Sequence, residues 1–321
     1  MKTSKSAITA PLYATIVMIL LGVSGKLLEI SVTNSADDFF FTAVILELFV
    51  YMIPAAFYCK IRGVDLLKAS GVRYFSPSDL PFVISMFFVY VLGALFLLYL
   101  GFVPAGTATD MTLTLRTIPE TDSVFVALCY IVIPAVAEET IFRSLLLQEY
   151  RPFKGVFSLI LTSVFFAMIH FSFSAFLFYF WGGLVLGLLT LVTHSALPSV
   201  ILHMLSNAVS LYFSDTISGF LNSAENSVVV IFLMSTLFIL ALYLAAGSMQ
   251  SIYERKSEQY ENGTLRGCRV DAIARLSKAG KVEKNKKTQV VAQGVTTRDM
   301  FLSPTVLLAV CVYIFITIGV I

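Results

Sequence analysis

Charge is what this chain has least of. Only 13% of its 321 residues are Asp, Glu, Lys or Arg, against 58% hydrophobic residues and a mean hydropathy of +0.87. Soluble domains carry about 25% charged residues, so that class is excluded and an all-α, polytopic transmembrane helix bundle is expected. The short alternating segments of a transmembrane barrel are also missing, because the apolar runs here are continuous. Four cysteines, Cys59, Cys129, Cys268 and Cys311, show no metal or redox spacing. Cys129 and Cys311 lie within apolar runs and read as small hydrophobes. Apart from Arg143, the basic residues are confined to loops, so the net charge of +2 says nothing about nucleic acid. No small-residue cleavage site follows Lys2 and Lys5, and more apolar runs come after, so the first run reads as an uncleaved helix. The internal inverted repeat common among transporters is not evident.

Nine apolar spans are present, at roughly 8–25, 39–58, 80–103, 122–149, 156–172, 175–193, 197–213, 227–246 and 304–321. The Lys- and Arg-rich segment 247–303 is the one long hydrophilic stretch, and Leu265 to Lys278 within it reads either as a basic surface helix or as a solvated linker. With the N-terminus inside, 19 of the 22 basic residues fall on the inner side, while Lys26 and Arg116 fall outside. That asymmetry predicts a multi-pass protein of the cell membrane with its N-terminus in and its C-terminus out.

Inside the fourth span stands Glu138-Glu139-Thr140-Ile141-Phe142-Arg143. A carboxylate at membrane depth costs about 2.5–3.5 kcal/mol on insertion scales, so two of them and a guanidinium require partners. Glu139 and Arg143 are i,i+4 neighbours with the acid N-terminal, the better orientation for an ion pair. Glu138, rotated about 100° around the helix, is left as the candidate general base. Pro134, one turn earlier, removes a backbone hydrogen bond and predicts a kink.

Three histidines occur, and two lie in apolar spans: His170, four residues after Phe166, and His203, with Asn207 one turn on. His194 falls in the short connection before Pro198. Counting about 1.5 Å per residue from the inner span ends puts Glu138, His170 and His203 at comparable depths, within reach of one pocket. A lone intramembrane histidine is usually a satisfied core group, but two accompanying an acid pair point to a site. Gly183 and Gly187 form a small-xxx-small face that reads as close helix packing. Glu47 is a further intramembrane acid with no partner legible, and the aromatic run Phe171 to Trp181 suits an interfacial belt or lipid-facing bulk.

Taken together, Glu138-Glu139-x-x-x-Arg143, Phe166-x-x-x-His170 and His203-x-x-x-Asn207, in this order on successive spans, resemble the CPBP (Abi) family of intramembrane proteases. That family includes the CAAX prenyl endopeptidases and bacteriocin-processing or self-immunity members. The resemblance covers roughly 80–213, and Ser144 stands where many members carry glycine. It implies peptide-bond hydrolysis inside the bilayer by a catalytic set of Glu138, Glu139, Arg143, His170, His203 and Asn207. Glu138 with His170 would activate a water, His203 with Asn207 would hold the oxyanion, and Arg143 would hold Glu139. Phe166 is expected to pack. One carboxylate and two histidines also permit a catalytic zinc, but no His-Glu-x-x-His pair is present, and the metal-free reading is favoured. The implied partners are a membrane-embedded or membrane-associated peptide or protein substrate and the lipid bilayer, with no nucleic acid. A non-catalytic immunity or scaffold protein of the same fold, and a transporter using the same polar groups as a path, are the other readings.

Overall fold

A computed structural model describes residues 2–31, 36–63, 75–102, 124, 127–150, 155–223, 227–261 and 303–319. Among them there is no strand, and nine helical elements follow one another. We number them α1 (Lys2–Ser31), α2 (Ala36–Arg62), α3 (Leu80–Tyr99), α4 (residues 128–150), α5 (Gly155–Met168), α6 (Phe176–Thr193), α7 (Leu197–Ser223), α8 (Val228–Glu261) and α9 (Pro304–Thr317). Among the described residues, four helices are long and apolar enough to cross a membrane: Pro77–Tyr99, Phe176–Thr193, Leu197–Leu221 and Val228–Ser257. The all-α membrane bundle expected from composition is therefore what the chain forms. The basic helix or linker at Leu265 to Lys278 and the side chain of Glu47 lie outside the described residues.

Two apolar clusters organise the bundle. One joins α1, α2, α4, α5 and α9, through residues such as Met18, Tyr51, Phe142, Phe165 and Ala309. The other joins α3, α6, α7 and α8, through Phe82, Leu186, Leu202 and Ala241. The outer surfaces stay apolar as well, with Phe57 65% and Tyr243 75% exposed, which suits contact with lipid rather than water.

At one end of the bundle α3, α6 and α8 are tied by a polar knot. Asp79, 1% exposed at the start of α3, accepts a hydrogen bond from Arg255 of α8, and Lys256 Nζ lies 4.0 Å from its second oxygen. Lys256 also donates to the Val192 carbonyl near the end of α6 at 2.7 Å. A buried carboxylate is tolerable only with partners of this kind.

Helix α4 is not uniform. Residues Leu128–Val132 and Thr140–Leu146 are wound as π-helix, on either side of a regular turn, Ile133–Glu139. The first wide turn ends where Ile133 N–H bonds to the Leu128 carbonyl, five residues back. The next residue, Pro134, has no N–H to continue the ladder, so the irregularity expected at this proline takes the form of a π turn. The second begins directly after Glu139 and ends where Leu147 N–H bonds to the Phe142 carbonyl.

One boundary differs from the sequence reading. The fifth span was expected to continue to 172, but α5 ends at Met168, and His170 lies in the turn beyond it. Phe171 adopts the left-handed conformation with φ of 46°, which bends the chain away from the helix axis. Ser172 Oγ then accepts from Ala175 N–H at 3.2 Å and shapes the entry into α6.

The glycine face of α6 packs as expected. A Cβ on Gly183 would stand 2.9 Å from the Cα and Cβ of Ser163, and one on Gly187 would stand 2.5 Å from Leu159 Cδ1. The close approach of α5 and α6 therefore depends on the missing side chains.

Candidate active site

The site is built where α4, α5, α6 and α7 meet. Glu138, Glu139 and Arg143 of α4 are all buried, Glu139 completely. Arg143 Nη1 lies 3.0 Å from Glu139 Oε1, which is the i,i+4 ion pair the spacing predicts. The same Oε1 lies 3.0 Å from His203 Nδ1 of α7, so one carboxylate oxygen serves both partners. Because a carboxylate can only accept, Nδ1 carries the proton in this contact.

Arg143 is held further by an aromatic face and a carbonyl. Its guanidinium carbon sits 4.3 Å from the centre of the Phe166 ring, and its Nη2 points at the Gly183 carbonyl at 3.5 Å. A buried arginine stacked on a ring and paired with a carboxylate is a rigid fixture of the site. Ser144, the departure from the family motif, is buried beside it and fits the packed interior.

Phe166 is the hub of the arrangement. Its ring centre lies 5.1 Å from that of His170, 5.8 Å from that of His203 and 5.3 Å from that of Phe142, with edge-on geometry in each case. Packing is the part expected of this residue, and the structure adds that it packs against both histidines and the arginine at once. The two histidines singled out in the sequence thus flank one aromatic side chain.

His170 is oriented by its own chain. Its Nδ1 donates to the Phe166 carbonyl at 2.8 Å, one of the last carbonyls of α5, which have no helical partner. With Nδ1 so engaged, Nε2 is the ring nitrogen left for chemistry. The imidazole also stacks on Tyr179 of α6, with ring centres 3.6 Å apart and planes 18° apart. Glu138, 8% exposed, lies within electrostatic range of Arg143, Tyr90 and Tyr179. On α7, Ser206 Oγ and Tyr90 Oη share a hydrogen bond at 2.8 Å, and the partly buried Asn207 follows His203 by one turn.

The structure therefore brings Glu138, Glu139, Arg143, His170 and His203 into one polar cluster, with Asn207 on the same helix as His203. Sequence reading did not anticipate that Glu139 would hold His203, nor the involvement of Tyr90 and Tyr179. No spacing rule connects those helices. His194, in contrast, ends α6 with left-handed backbone, φ 58°, as a connecting residue between α6 and α7.

Among the described residues no three His, Cys, Asp or Glu side chains are grouped to hold an ion. His170 and His203 each direct Nδ1 at a protein acceptor, which leaves Nε2 as the second ring nitrogen of each, and Arg143 stands against Glu139.

Residues 120–209 match the family described as Type II CAAX prenyl endopeptidase Rce1-like. The matched stretch contains all three motifs, ending two residues after Asn207, and agrees with the family resemblance read from them. No curated protein and no solved structure matches the chain.

Proposed function

We propose that this protein is a multi-pass intramembrane endopeptidase that hydrolyses a peptide bond of a membrane-associated substrate with a water activated by Glu138 and His170. The observation that carries the reading is the convergence of three sequence-distant motifs on the Phe166 ring, deep in an apolar bundle. The family match over 120–209 supports peptidase chemistry of the CAAX type.

The chemistry follows from the placement of protons. A water beside Glu138 gives its proton to the carboxylate, while His170, with Nδ1–H committed to the Phe166 carbonyl, offers Nε2 as acceptor. The resulting hydroxide attacks the scissile carbonyl carbon, and the carbonyl oxygen becomes the oxyanion. His203, protonated on both nitrogens, donates from Nδ1 to Glu139 and from Nε2 to that oxyanion, with the Asn207 amide as second donor. With Glu138 protonated, the negative charges then present are those of Glu139 and the oxyanion, which face Arg143 and His203. The proton held by Glu138 passes to the leaving amine as the tetrahedral intermediate collapses. This scheme requires no metal.

The decisive experiment compares wild type and Glu138→Gln in proteoliposomes with a membrane-anchored peptide library read by mass spectrometry. Wild type cleaves, and the isosteric amide abolishes turnover while the variant expresses and unfolds like wild type. Equal cleavage by the two, or cleavage by neither, would refute the peptidase reading and favour a non-catalytic protein of the same fold.

A further inference from the structure

His170 is the one group of the proposed machinery that no helix holds. It lies beyond the end of α5, next to the left-handed Phe171, so no regular helical backbone sets its direction. The Nδ1 hydrogen bond to the Phe166 carbonyl fixes one point of the imidazole, at 2.8 Å. A single hydrogen bond does not fix a plane. The plane is set by two rings: the edge of Phe166 on one side, and the face of Tyr179 on the other, 3.6 Å away and 18° from parallel.

Tyr179 is placed for this by α6. That helix packs tightly on α5, because Gly183, one turn after Tyr179, has no Cβ to meet Ser163. Glu138 lies within electrostatic range of the Tyr179 side chain. By sequence Tyr179 is one of many aromatics in the run Phe171 to Trp181, which reads as interfacial or lipid-facing bulk.

We propose that Tyr179 is a positioning residue of the site, its ring holding the plane of the His170 imidazole and so the direction in which Nε2 is offered. The proposal rests on the peptidase reading for its catalytic consequence, but the stacking itself can be measured without turnover. The aromatic face carries the function. The hydroxyl is dispensable.

The test uses the full chain in nanodiscs with isotopically labelled histidine. The chain has three histidines, so His170→Ala identifies the His170 signals in the NMR spectrum. In wild type the His170 ring protons should be shifted upfield by the Tyr179 ring current, with the nitrogen pattern of an Nδ1–H tautomer. Tyr179→Phe should keep both features and near-normal turnover. Tyr179→Leu should lose the upfield shift and lower kcat by up to about 100-fold with KM unchanged, as misorientation of a catalytic group does. An unchanged His170 spectrum in Tyr179→Leu would overturn the proposal, whatever the activity. So would a lost upfield shift with unchanged kcat, or a Tyr179→Phe variant as impaired as Tyr179→Leu. A wild-type chain that cleaves nothing would sink the peptidase reading alone, since the spectra still report whether Tyr179 sets the ring.

Discussion

Glu139 and His203 meet across α4 and α7, with Nδ1 of the histidine 3.0 Å from the carboxylate oxygen that also faces Arg143. This contact divides the acid pair by role. Glu139 faces both Arg143 and His203, and Glu138 is the carboxylate proposed to act on water.

The division predicts different consequences for neighbouring substitutions. Arg143→Ala removes a buried cation from a fully buried carboxylate, and breaking such a pair costs about 3–5 kcal/mol. Arg143→Ala should therefore unfold at markedly lower temperature in detergent, as followed by thermal denaturation. Glu138→Gln should not. The double variant Glu139→Gln/Arg143→Met should recover part of the loss, because the carboxylate that Arg143→Ala leaves without its arginine is removed as well. A double variant less stable than Arg143→Ala would contradict the role given to Glu139.

A second prediction concerns Asn207. If its amide is one of two oxyanion donors, Asn207→Ala should lower kcat by about 10²–10³-fold, or about 2.7–4 kcal/mol in the barrier, with little change in stability. Chelators should leave wild-type activity intact. Activity lost on chelation and restored by added zinc would overturn the metal-free scheme.

Topology can be tested at the polar knot. Asp79 of α3 contacts Arg255 and Lys256 of α8, so these helix ends share one face of the bundle, as the charge asymmetry requires of the basic segments near them. In a background without Cys59, Cys129, Cys268 and Cys311, a cysteine at Ser78 should resist an impermeant thiol reagent in intact cells. One at Ser223, at the far end of α7, should react. The reverse pattern would invert the orientation.

Helix packing gives a fourth test. Gly183→Ala drives a methyl into the Cα and Cβ of Ser163, which can move only with the α5 backbone, and overpacking of this kind costs about 1–3 kcal/mol. Gly187→Ala meets the tip of the Leu159 side chain, which can rotate away. Gly183→Ala should therefore be the more destabilised of the two in thermal denaturation, and should also lower turnover, because the Gly183 carbonyl faces Arg143. Equal stability of the two variants would remove Gly183 from the site's support.

What the sequence determined by itself was whatever depends on composition and on neighbours along one helix. Among the described residues the apolar runs became helices, because an uninterrupted apolar stretch in lipid must satisfy its backbone internally. The Glu139–Arg143 pair was legible because residues four apart share a helix face. The irregular backbone near Pro134 was legible because proline lacks the donor. Tertiary structure alone decided which helix faces which. In a water-soluble bundle the apolar stripe marks the buried side, but here Phe57 faces outward and Leu145 is buried, and both are apolar. With that signal erased, the rotation of α4, α6 and α7 about their axes could not be read. The meeting of Glu139 with His203 and of His170 with Tyr179 depends on those rotations, and on an α5 that ends two residues short of its histidine.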